Sequence, residues 1–182
     1  MSSENIVDGQ RSNIVLIGMP GSGKSSVGPI LARLMCRSSI DTDTLIETRQ
    51  GRTLQEIVDR DGYLALRKVE EKVLLDLGCH NHVIATGGSA VYSLAAMSHL
   101  KSHGIVVFLK VDMDTLKTRT HNYDTRGLAK HPDQTFEDLF VERSSLYRQY
   151  SDVTINCDGL NHEQVCAKII QELKARQRVR EA

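Results

Sequence analysis

Residues 13–25 read Asn-Ile-Val-Leu-Ile-Gly-Met-Pro-Gly-Ser-Gly-Lys-Ser, and this stretch decides the fold class. Its first part is a short unbroken apolar run, which is typical of a strand buried on both faces of a parallel sheet. Its second part, Gly18–Ser25, matches the pattern Gly-x-x-x-x-Gly-Lys-Ser/Thr in full. Because the motif follows a predicted strand and opens a predicted helix, it has the context that a phosphate-binding loop requires.

The chemistry of this loop follows from its residue types. Glycines let the backbone curl until several N–H groups point into one nest, and the helix N-terminus adds a favourable dipole for anions. The residues expected to bind a nucleotide are Gly21, Ser22, Gly23, Lys24, Ser25 and Ser26. Among them, Lys24 is expected to reach the β and γ phosphates and Ser25 to ligate Mg²⁺. The motif therefore predicts ATP or GTP as a ligand, but motors, GTPases and metabolite kinases all share it.

Apolar runs and helical patterns alternate along the rest of the chain. Further strand-like runs are Ser39–Ile40, Val83–Ala85, Ile105–Leu109 and Val153–Ile155. Helices are predicted at Ser26–Leu34, Thr53–Val58, Tyr63–Leu77, Ser93–Lys101, Met113–His121, Phe136–Tyr150 and His162–Arg176. This alternation predicts an α/β fold in which a five-stranded parallel sheet is flanked by helices.

Composition and charge limit the other possibilities. With 182 residues, 40% of them hydrophobic and 25% charged, the chain can bury a core and is not expected to be disordered. Basic and acidic residues number 23 each, which disfavours a nucleic-acid-coating protein. No apolar run is long enough to span a membrane. The segment Met1–Ser12 lacks an apolar signal core and the cysteines lack metal-site spacing, so we expect a cytoplasmic protein without a disulfide framework or zinc site.

The predicted organisation is a single phosphate-loop kinase domain over residues 13–176. A flexible N-terminal tail at 1–12 and a C-terminal tail at 177–182 flank it. The polar segment Asn122–Gln134 lies between two predicted helices and is longer than most loops in compact domains. It is either a lid that closes over a ligand or an ordinary mobile loop. The basic end, Lys174–Arg180, is interpreted as a solvated helix end rather than a nucleic-acid patch, because the net charge is zero.

Two predicted strands are followed by residues that suit a ligand site: aspartates follow Ser39–Ile40, and glycines follow Val83–Ala85. Residues two apart in an extended segment point to the same side, so Asp41 and Asp43 are both expected to face a phosphate-transfer site. One could hold Mg²⁺, and the other could accept a hydrogen bond from an attacking hydroxyl. The alternative is a helix cap, because Asp43 precedes the apolar residues Leu45 and Ile46. Thr86-Gly87-Gly88 indicates either a close approach by a ligand or by backbone, or a tight turn.

Four arginines are candidates for binding anions. Arg67 lies on a predicted helix with acidic residues three and four positions later, which also fits a surface ion pair. Arg143 lies on a later helix and carries no pattern of its own. Arg119 and Arg126 stand before and within the polar segment, and either could reach phosphates when that segment closes.

In their order along the chain, these elements resemble the shikimate kinase family from about Asn13 to Leu173. The set ends with an Arg-x-x-x-Tyr helix, here Arg143-Ser-Ser-Leu-Tyr147. The resemblance implies strand order 2-3-1-4-5, substrate-binding helices at residues 44–78 and a mobile lid at residues 122–134. It also implies that ATP, with Mg²⁺, phosphorylates the 3-hydroxyl of shikimate to give shikimate 3-phosphate and ADP. The family likeness further suggests a monomer.

The resemblance also implies roles for individual residues. Asp41 would lie near Mg²⁺, and Asp43 would bind the substrate diol and orient or deprotonate the attacking hydroxyl. Arg67 and Arg143 would clamp the substrate carboxylate, a planar anion that arginine suits better than lysine. The remaining implied contacts are those of Gly87 and Gly88 with the substrate, of Arg126 with the phosphates and of Arg119 with adenine. The implied catalytic set is Lys24, Asp43 and Arg126.

Four positions depart from the usual pattern of the family. Ser89 replaces a third glycine, Gly127 replaces the proline after the lid arginine, and Leu66 and Val58 replace aromatic residues. All four lie where the acceptor or the closed lid is determined, so the acceptor is the open point. The alternatives are a kinase of a related carboxylate-bearing polyol such as aminoshikimate or quinate, a nucleotide or gluconate-type kinase, and a non-catalytic regulator that binds nucleotide.

Overall fold

Five strands form one sheet in the computed structural model, which describes residues 11–119 and 127–181. The strands are β1 (Asn13–Ile17), β2 (Ser38–Asp41), β3 (His82–Ala85), β4 (Gly104–Lys110) and β5 (Val153–Asn156). All neighbouring strands are parallel, and their order is β2-β3-β1-β4-β5. The predicted α/β class is confirmed, and so is the strand order implied by the resemblance.

Helices connect the strands and flank the sheet. In the described part of the chain they are α1 (Lys24–Leu34), α2 (Thr42–Gln50), α3 (Leu54–Asp61), α4 (Tyr63–Leu75), α5 (Leu94–His103), α6 (Met113–Arg119), α7 (Phe136–Tyr150) and α8 (His162–Glu181), with a 3₁₀ turn at Ala90–Tyr92. Helix α8 continues beyond the predicted end at Arg176, through most of the segment expected to be a C-terminal tail.

The apolar runs form the centre of the sheet. Strand β1 is buried along its whole length, and β4 is buried except at Lys110, because helices cover both faces of a parallel sheet. A smaller apolar cluster lies beside this core and joins α2, α3 and α4 to the segment after residue 126. Its buried members are Ile46, Ile57, Leu66, Val73 and Ala129. This cluster fixes the helices that border the candidate site.

The carboxyl ends of three strands lie side by side and position the site. Strand β1 ends at Ile17, and β2 and β3 end at Asp41 and Ala85, which are partners in the parallel register. The backbone N–H of Thr86 donates to the carbonyl oxygen of Leu16 at 3.1 Å. The phosphate loop, the aspartates and the Thr-Gly-Gly segment therefore meet at one edge of the sheet.

The N-terminal boundary of the domain differs from the prediction. Arg11 donates to the carbonyl oxygen of Gly104 through Nε at 3.0 Å and Nη2 at 2.7 Å, and it pairs with Asp152. Residues 11 and 12, expected within the tail, therefore contact the domain, whereas residues 1–10 lie outside the described residues. None of the described helices combines the length and apolarity needed to cross a bilayer.

Candidate active site

The phosphate loop connects β1 to α1. Helix α1 begins at Lys24 and has no side-chain cap, which leaves backbone N–H groups of its first turn for a ligand. Nζ of Lys24 donates to the carbonyl oxygens of Gly18 at 2.8 Å and Met19 at 2.9 Å. Burial lowers the pKa of Lys24 to about 8, against the opposing effect of the Asp43 and Asp41 carboxylates. An uncapped helix N-terminus beside a buried ammonium fits the phosphates of a nucleotide.

Asp41 and Asp43 have different roles in the structure. Strand β2 ends at Asp41, whose side chain caps α2 by accepting from the N–H groups of Asp43 at 3.0 Å and Thr44 at 3.3 Å. The cap expected at Asp43 is therefore at Asp41. Because α2 begins at Thr42, Asp43 is helical rather than extended, and the argument that both carboxylates share one side of a strand is wrong. Burial raises the pKa of Asp43 to about 6, with Asp41 adding to the rise and Lys24 opposing it.

Two arginine side chains converge on one point. Arg67 donates to the carbonyl oxygen of Ala129 through Nε at 3.2 Å and Nη2 at 2.9 Å, and Arg143 donates to the same oxygen through Nη2 at 3.0 Å. The Tyr92 ring lies under the Arg67 guanidinium, with 3.6 Å from Cζ to the ring centroid. The surface ion pair considered for Arg67 is wrong, because in the described residues its guanidinium turns inward to Ala129 and Tyr92.

Glu70 is buried beside these groups. It is only 3% exposed, and its Oε2 accepts a hydrogen bond from the hydroxyl of Ser89. Oε1 has no hydrogen-bond partner among the described residues. Burial raises the pKa of Glu70 to about 7, and the nearby Asp43 carboxylate contributes to the rise. The site therefore holds two neighbouring carboxyl groups as well as the buried cations.

The glycines after β3 lie where side chains crowd the backbone. A Cβ atom at Gly87 would overlap Oε1 of Glu70 and would come within 2.7 Å of Oδ1 of Asp43. A Cβ atom at Gly88 would lie 2.8 Å from Nη1 of Arg143. The close approach expected at Thr86-Gly87-Gly88 is thus made by polar side chains of the site itself, and a larger residue would displace them.

A cleft of about 760 Å³ opens along this edge of the sheet. Its lining includes the predicted residues Gly21, Gly23, Lys24, Ser25, Ser26, Asp43, Gly87, Gly88, Arg119 and Arg143. A second cavity, of about 250 Å³, is lined by Arg67 and shares Glu70 and Ser89 with the first. Ser22 and Asp41 do not line the cleft. Arg126 and the first part of the predicted lid, residues 122–126, lie outside the described residues.

This arrangement of phosphate loop, carboxylates and paired arginines agrees with a comparison of the sequence with known families. The model of the family described as "Shikimate kinase" matches residues 20–174. The chain belongs to the shikimate kinase family. It is accordingly a phosphotransferase that acts on an alcohol group, and shikimate kinases use ATP. The family resemblance seen in the sequence is confirmed.

Individual shikimate kinases match over nearly their full length. The enzyme of Colwellia psychrerythraea is 36% identical, and the match covers 90% of this chain and 98% of that protein. The enzyme of a Sulfurihydrogenibium species is 34% identical, with coverage of 90% and 99%. Among solved structures, shikimate kinase from Acinetobacter baumannii in complex with shikimate has a TM-score of 0.84 at 33% identity, covering 91% of this chain and 94% of that one. Thymidylate kinase from Candida albicans, at 15% identity and a TM-score of 0.55, shares the fold, and the match covers 92% of this chain and 93% of that one.

The departures from the family pattern have structural reasons at two positions. Gly127 has φ +60°, a left-handed conformation that proline cannot adopt, and a Cβ there would approach backbone atoms of Leu54 and Gln55 at 2.5 Å. Leu66 is 4% exposed in the small apolar cluster and lines the cleft. Val58 packs against the same cluster without lining the cleft. Of the two residues that replace aromatics, Leu66 is therefore the one that affects the shape of the cleft.

Sequence reasoning missed the site roles of Glu70 and Tyr92. A signal existed for Glu70, because α4 buries Leu66, Glu70, Val73 and Leu74 at helical spacing, and one of these four is acidic. An acidic residue within an apolar stripe is rarely buried without a function or a partner. No pattern marked Tyr92, whose importance depends on two arginines brought to it from distant helices.

We expect Glu70→Gln to stabilise the protein at pH 8. The pKa of Glu70 is about 7 in the folded chain against 4.5 for an ordinary glutamate. The folded state therefore holds this proton more tightly, and stability is lost as the pH rises from about 4.5 through about 7. Removing the buried charge should raise the free energy of unfolding at pH 8 by about 1–3 kcal/mol.

Urea unfolding of both proteins at several pH values measures this effect. The difference between Glu70→Gln and wild type should be small near pH 4 and largest above pH 7. Glu71→Gln is the matched control, because Glu71 is the next residue on α4 and also accepts a hydrogen bond from a serine, Ser93. A Glu70→Gln variant that is less stable than wild type at pH 8 would show that the charged form is favoured in the fold.

Proposed function

We propose that this protein transfers the γ-phosphoryl group of ATP to the 3-hydroxyl of shikimate, giving shikimate 3-phosphate and ADP. One observation carries the proposal: the guanidinium groups of Arg67 and Arg143 converge on one oxygen, the carbonyl of Ala129, and Arg143 and Ala129 line the same cleft as Asp43 and the phosphate loop. Two arginines that share an oxygen acceptor suit the carboxylate of the acceptor molecule. The similar shikimate kinase from Acinetobacter baumannii has a structure in complex with shikimate, which supports the same acceptor.

Different residues bind the phosphates, the adenine and the Mg²⁺ of the nucleotide. The phosphate loop at Gly21–Ser26, together with Nζ of Lys24, would hold the phosphates, and Arg119 would lie against the adenine. Ser25 lines the cleft and supplies a hydroxyl oxygen to Mg²⁺. Asp41 does not line the cleft and caps α2 through Oδ1, so Oδ2 is the oxygen left to hold Mg²⁺, directly or through water. Mg²⁺, when bound, neutralises charge on the β and γ phosphates. Arg126 contributes a second cation from the lid.

The acceptor is held at both ends. Arg67 and Arg143 bind its carboxylate, and the backbone at Gly87 and Gly88 contacts its ring. The carboxylate of Asp43 orients the attacking hydroxyl and takes its proton as the oxygen bonds to the γ-phosphorus. The bond from that phosphorus to the β–γ bridging oxygen breaks, and the electron pair leaves with ADP. Because phosphoryl transfer depends mainly on positioning and charge stabilisation, these few groups are sufficient for the reaction.

The decisive experiment is acceptor-dependent ADP release with Mg-ATP. Shikimate should stimulate the release strongly, and the same protein without acceptor is the blank. Quinate and aminoshikimate test the related-polyol alternative, which the replacement of an aromatic by Leu66 in the cleft wall favours. Gluconate and nucleoside monophosphates test the other kinase classes. ATP binding without ADP release on any acceptor would support a non-catalytic regulator and contradict the proposal.

We also propose that the protein works as a cytoplasmic monomer without a nucleic-acid partner. The equal numbers of basic and acidic residues support the absence of a nucleic-acid partner. Sedimentation of the purified protein tests the monomer, and fractionation of cells tests the compartment.

A further inference from the structure

The paired arginines donate to a neutral group. Among the described residues neither Arg67 nor Arg143 forms an ion pair, although Arg143 is only 1% exposed. Their guanidinium groups instead share the carbonyl oxygen of Ala129, which accepts three hydrogen bonds from them. A carbonyl oxygen has two lone pairs and no charge, whereas a carboxylate offers about four acceptor sites and a negative charge. The Ala129 oxygen is therefore a weaker partner for these two cations than a carboxylate would be.

Ala129 stands between Arg67 and the main cleft. Ala129 lines that cleft and Arg67 does not, because the Arg67 side chain lines the smaller cavity instead. Nε and Nη2 of Arg67 are both directed to the Ala129 oxygen. In this structure the chain thus places its own oxygen where the carboxylate of the acceptor is proposed to bind, and an acceptor must displace it to engage both arginines.

A side chain of α3 holds the segment at residues 127–130. The backbone N–H of Gly127 donates to Oε1 of Gln55 at 2.5 Å. Nε2 of Gln55 donates to Oδ1 of Asp59, one turn later on α3, at 2.6 Å, and this second bond keeps Oε1 directed to Gly127. Ala129 adds only a methyl group to the small apolar cluster, so its burial contributes little. Loss of the Gln55 hydrogen bond should therefore loosen the segment.

We infer that Gln55 is a positioning residue, which keeps the Ala129 carbonyl oxygen in the place of the acceptor carboxylate until the acceptor binds. The inference rests on the proposed function, since it assumes an acceptor with a carboxylate. When that carboxylate binds the two arginines, the Ala129 oxygen leaves them and Gly127 leaves Gln55. Only molecules in which the segment has left bind the acceptor fully, so the contact lowers the apparent affinity by their fraction.

Calorimetric titration of Gln55→Met with shikimate tests the inference. Methionine keeps the side-chain length and the helix propensity, but its thioether is a weak acceptor. We expect Kd for shikimate to fall about fivefold, as for the loss of one neutral hydrogen bond that competes with the acceptor. The titration is made without nucleotide, so that phosphoryl transfer does not contribute. Gln171→Met makes the same change at an exposed position of α8 and should keep the wild-type Kd.

A shikimate analogue with hydrogen in place of the carboxylate separates displacement of Ala129 from a general widening of the cleft. This analogue has no group that replaces the Ala129 oxygen on the arginines. Its Kd should be the same in Gln55→Met and wild type. An equal gain in affinity for shikimate and for the analogue would show a wider cleft and overturn the inference.

Hydrogen exchange at the amide of Gly127 gives a readout that needs no substitution. Ligands ordinarily slow the exchange of amides near their site, because they stabilise the folded structure. Here shikimate should speed the exchange of the Gly127 amide, since its binding releases the hydrogen bond to Gln55. The analogue without a carboxylate should not do so. Exchange that is unchanged or slower with shikimate would contradict the displacement.

Failure of the inference is distinguishable from failure of the proposed function. Unchanged or weaker shikimate binding by Gln55→Met, in a protein whose ADP release still depends on shikimate, would overturn the inference alone. Weaker binding in particular would show that the Ala129 oxygen helps to form the acceptor site. A wild-type protein that neither phosphorylates nor binds shikimate would contradict both proposals together.

Discussion

Replacing Lys24 by alanine is expected to lower kcat for phosphoryl transfer by about a thousandfold, because the group removed stabilises charge that develops on the phosphates. Lys24 is 7% exposed and holds its ammonium at the mouth of the phosphate loop, where little water screens it. In a buried position, one preorganised charge contributes far more than it would on the surface. Acceptor-dependent ADP release measured at saturating Mg-ATP gives kcat directly.

The control for this variant is Lys168→Ala, which removes an exposed lysine from α8. It should leave kcat unchanged. Thermal unfolding of Lys24→Ala checks the fold, since Gly18 and Met19 lose a donor to their carbonyl oxygens. A folded Lys24→Ala protein with kcat within tenfold of wild type would contradict the assigned role.

Replacing Arg143 by lysine is expected to raise KM for shikimate by about 10- to 100-fold, with KM for ATP little changed. Lysine keeps the charge but cannot offer the planar pair of donors that a carboxylate accepts. Arg143 is 1% exposed and donates to Ala129 and Tyr92, so its replacement also costs these hydrogen bonds and leaves a lysine ammonium buried in their place. We expect a loss of about 1–3 kcal/mol in the free energy of unfolding.

Arg67→Lys separates binding from stability. Arg67 is half-buried, so its replacement should raise KM by a similar factor with a smaller loss of stability. Arg148→Lys, at an exposed position of α7, is the matched control and should change neither quantity. If Arg67→Lys and Arg143→Lys both kept the wild-type KM for shikimate, the paired arginines would not be the carboxylate site.

The bounds of β1 and α2 show which secondary-structure elements local sequence patterns can predict. The apolar run at Asn13–Ile17 predicts β1 with its bounds, because a strand buried on both faces needs apolar residues at nearly every position. Helix α2 has no comparable pattern and is absent from the helices predicted by periodicity, although the family resemblance implies helices from residue 44. Its apolar stripe is short, and most of its residues are half-buried or exposed, so it depends on packing against α4 and α3.

Side-chain roles are harder to predict than elements. The spacing of two residues predicts that Asp41 and Asp43 act together, but the chain changes from strand to helix between them. Likewise, the pattern around Arg67 is compatible with an ion pair to its neighbours on α4. The carbonyl oxygen to which Arg67 donates belongs to Ala129, and only the packing of residues 127–130 against α3 and α4 brings it within reach.

By itself, the sequence determined the strand, the phosphate loop and the helix after it, predicted at Ser26–Leu34 and observed from Lys24, because loop conformation and anion binding there depend on residues adjacent in the chain. The tertiary structure alone decided which distant groups come together in the candidate site. Arg67 meets an oxygen 62 residues later, and Glu70 meets Ser89 19 residues later. Burial then sets their chemistry, since the same carboxyl group on a solvated helix face would be an ordinary glutamate, and here its pKa is about 7.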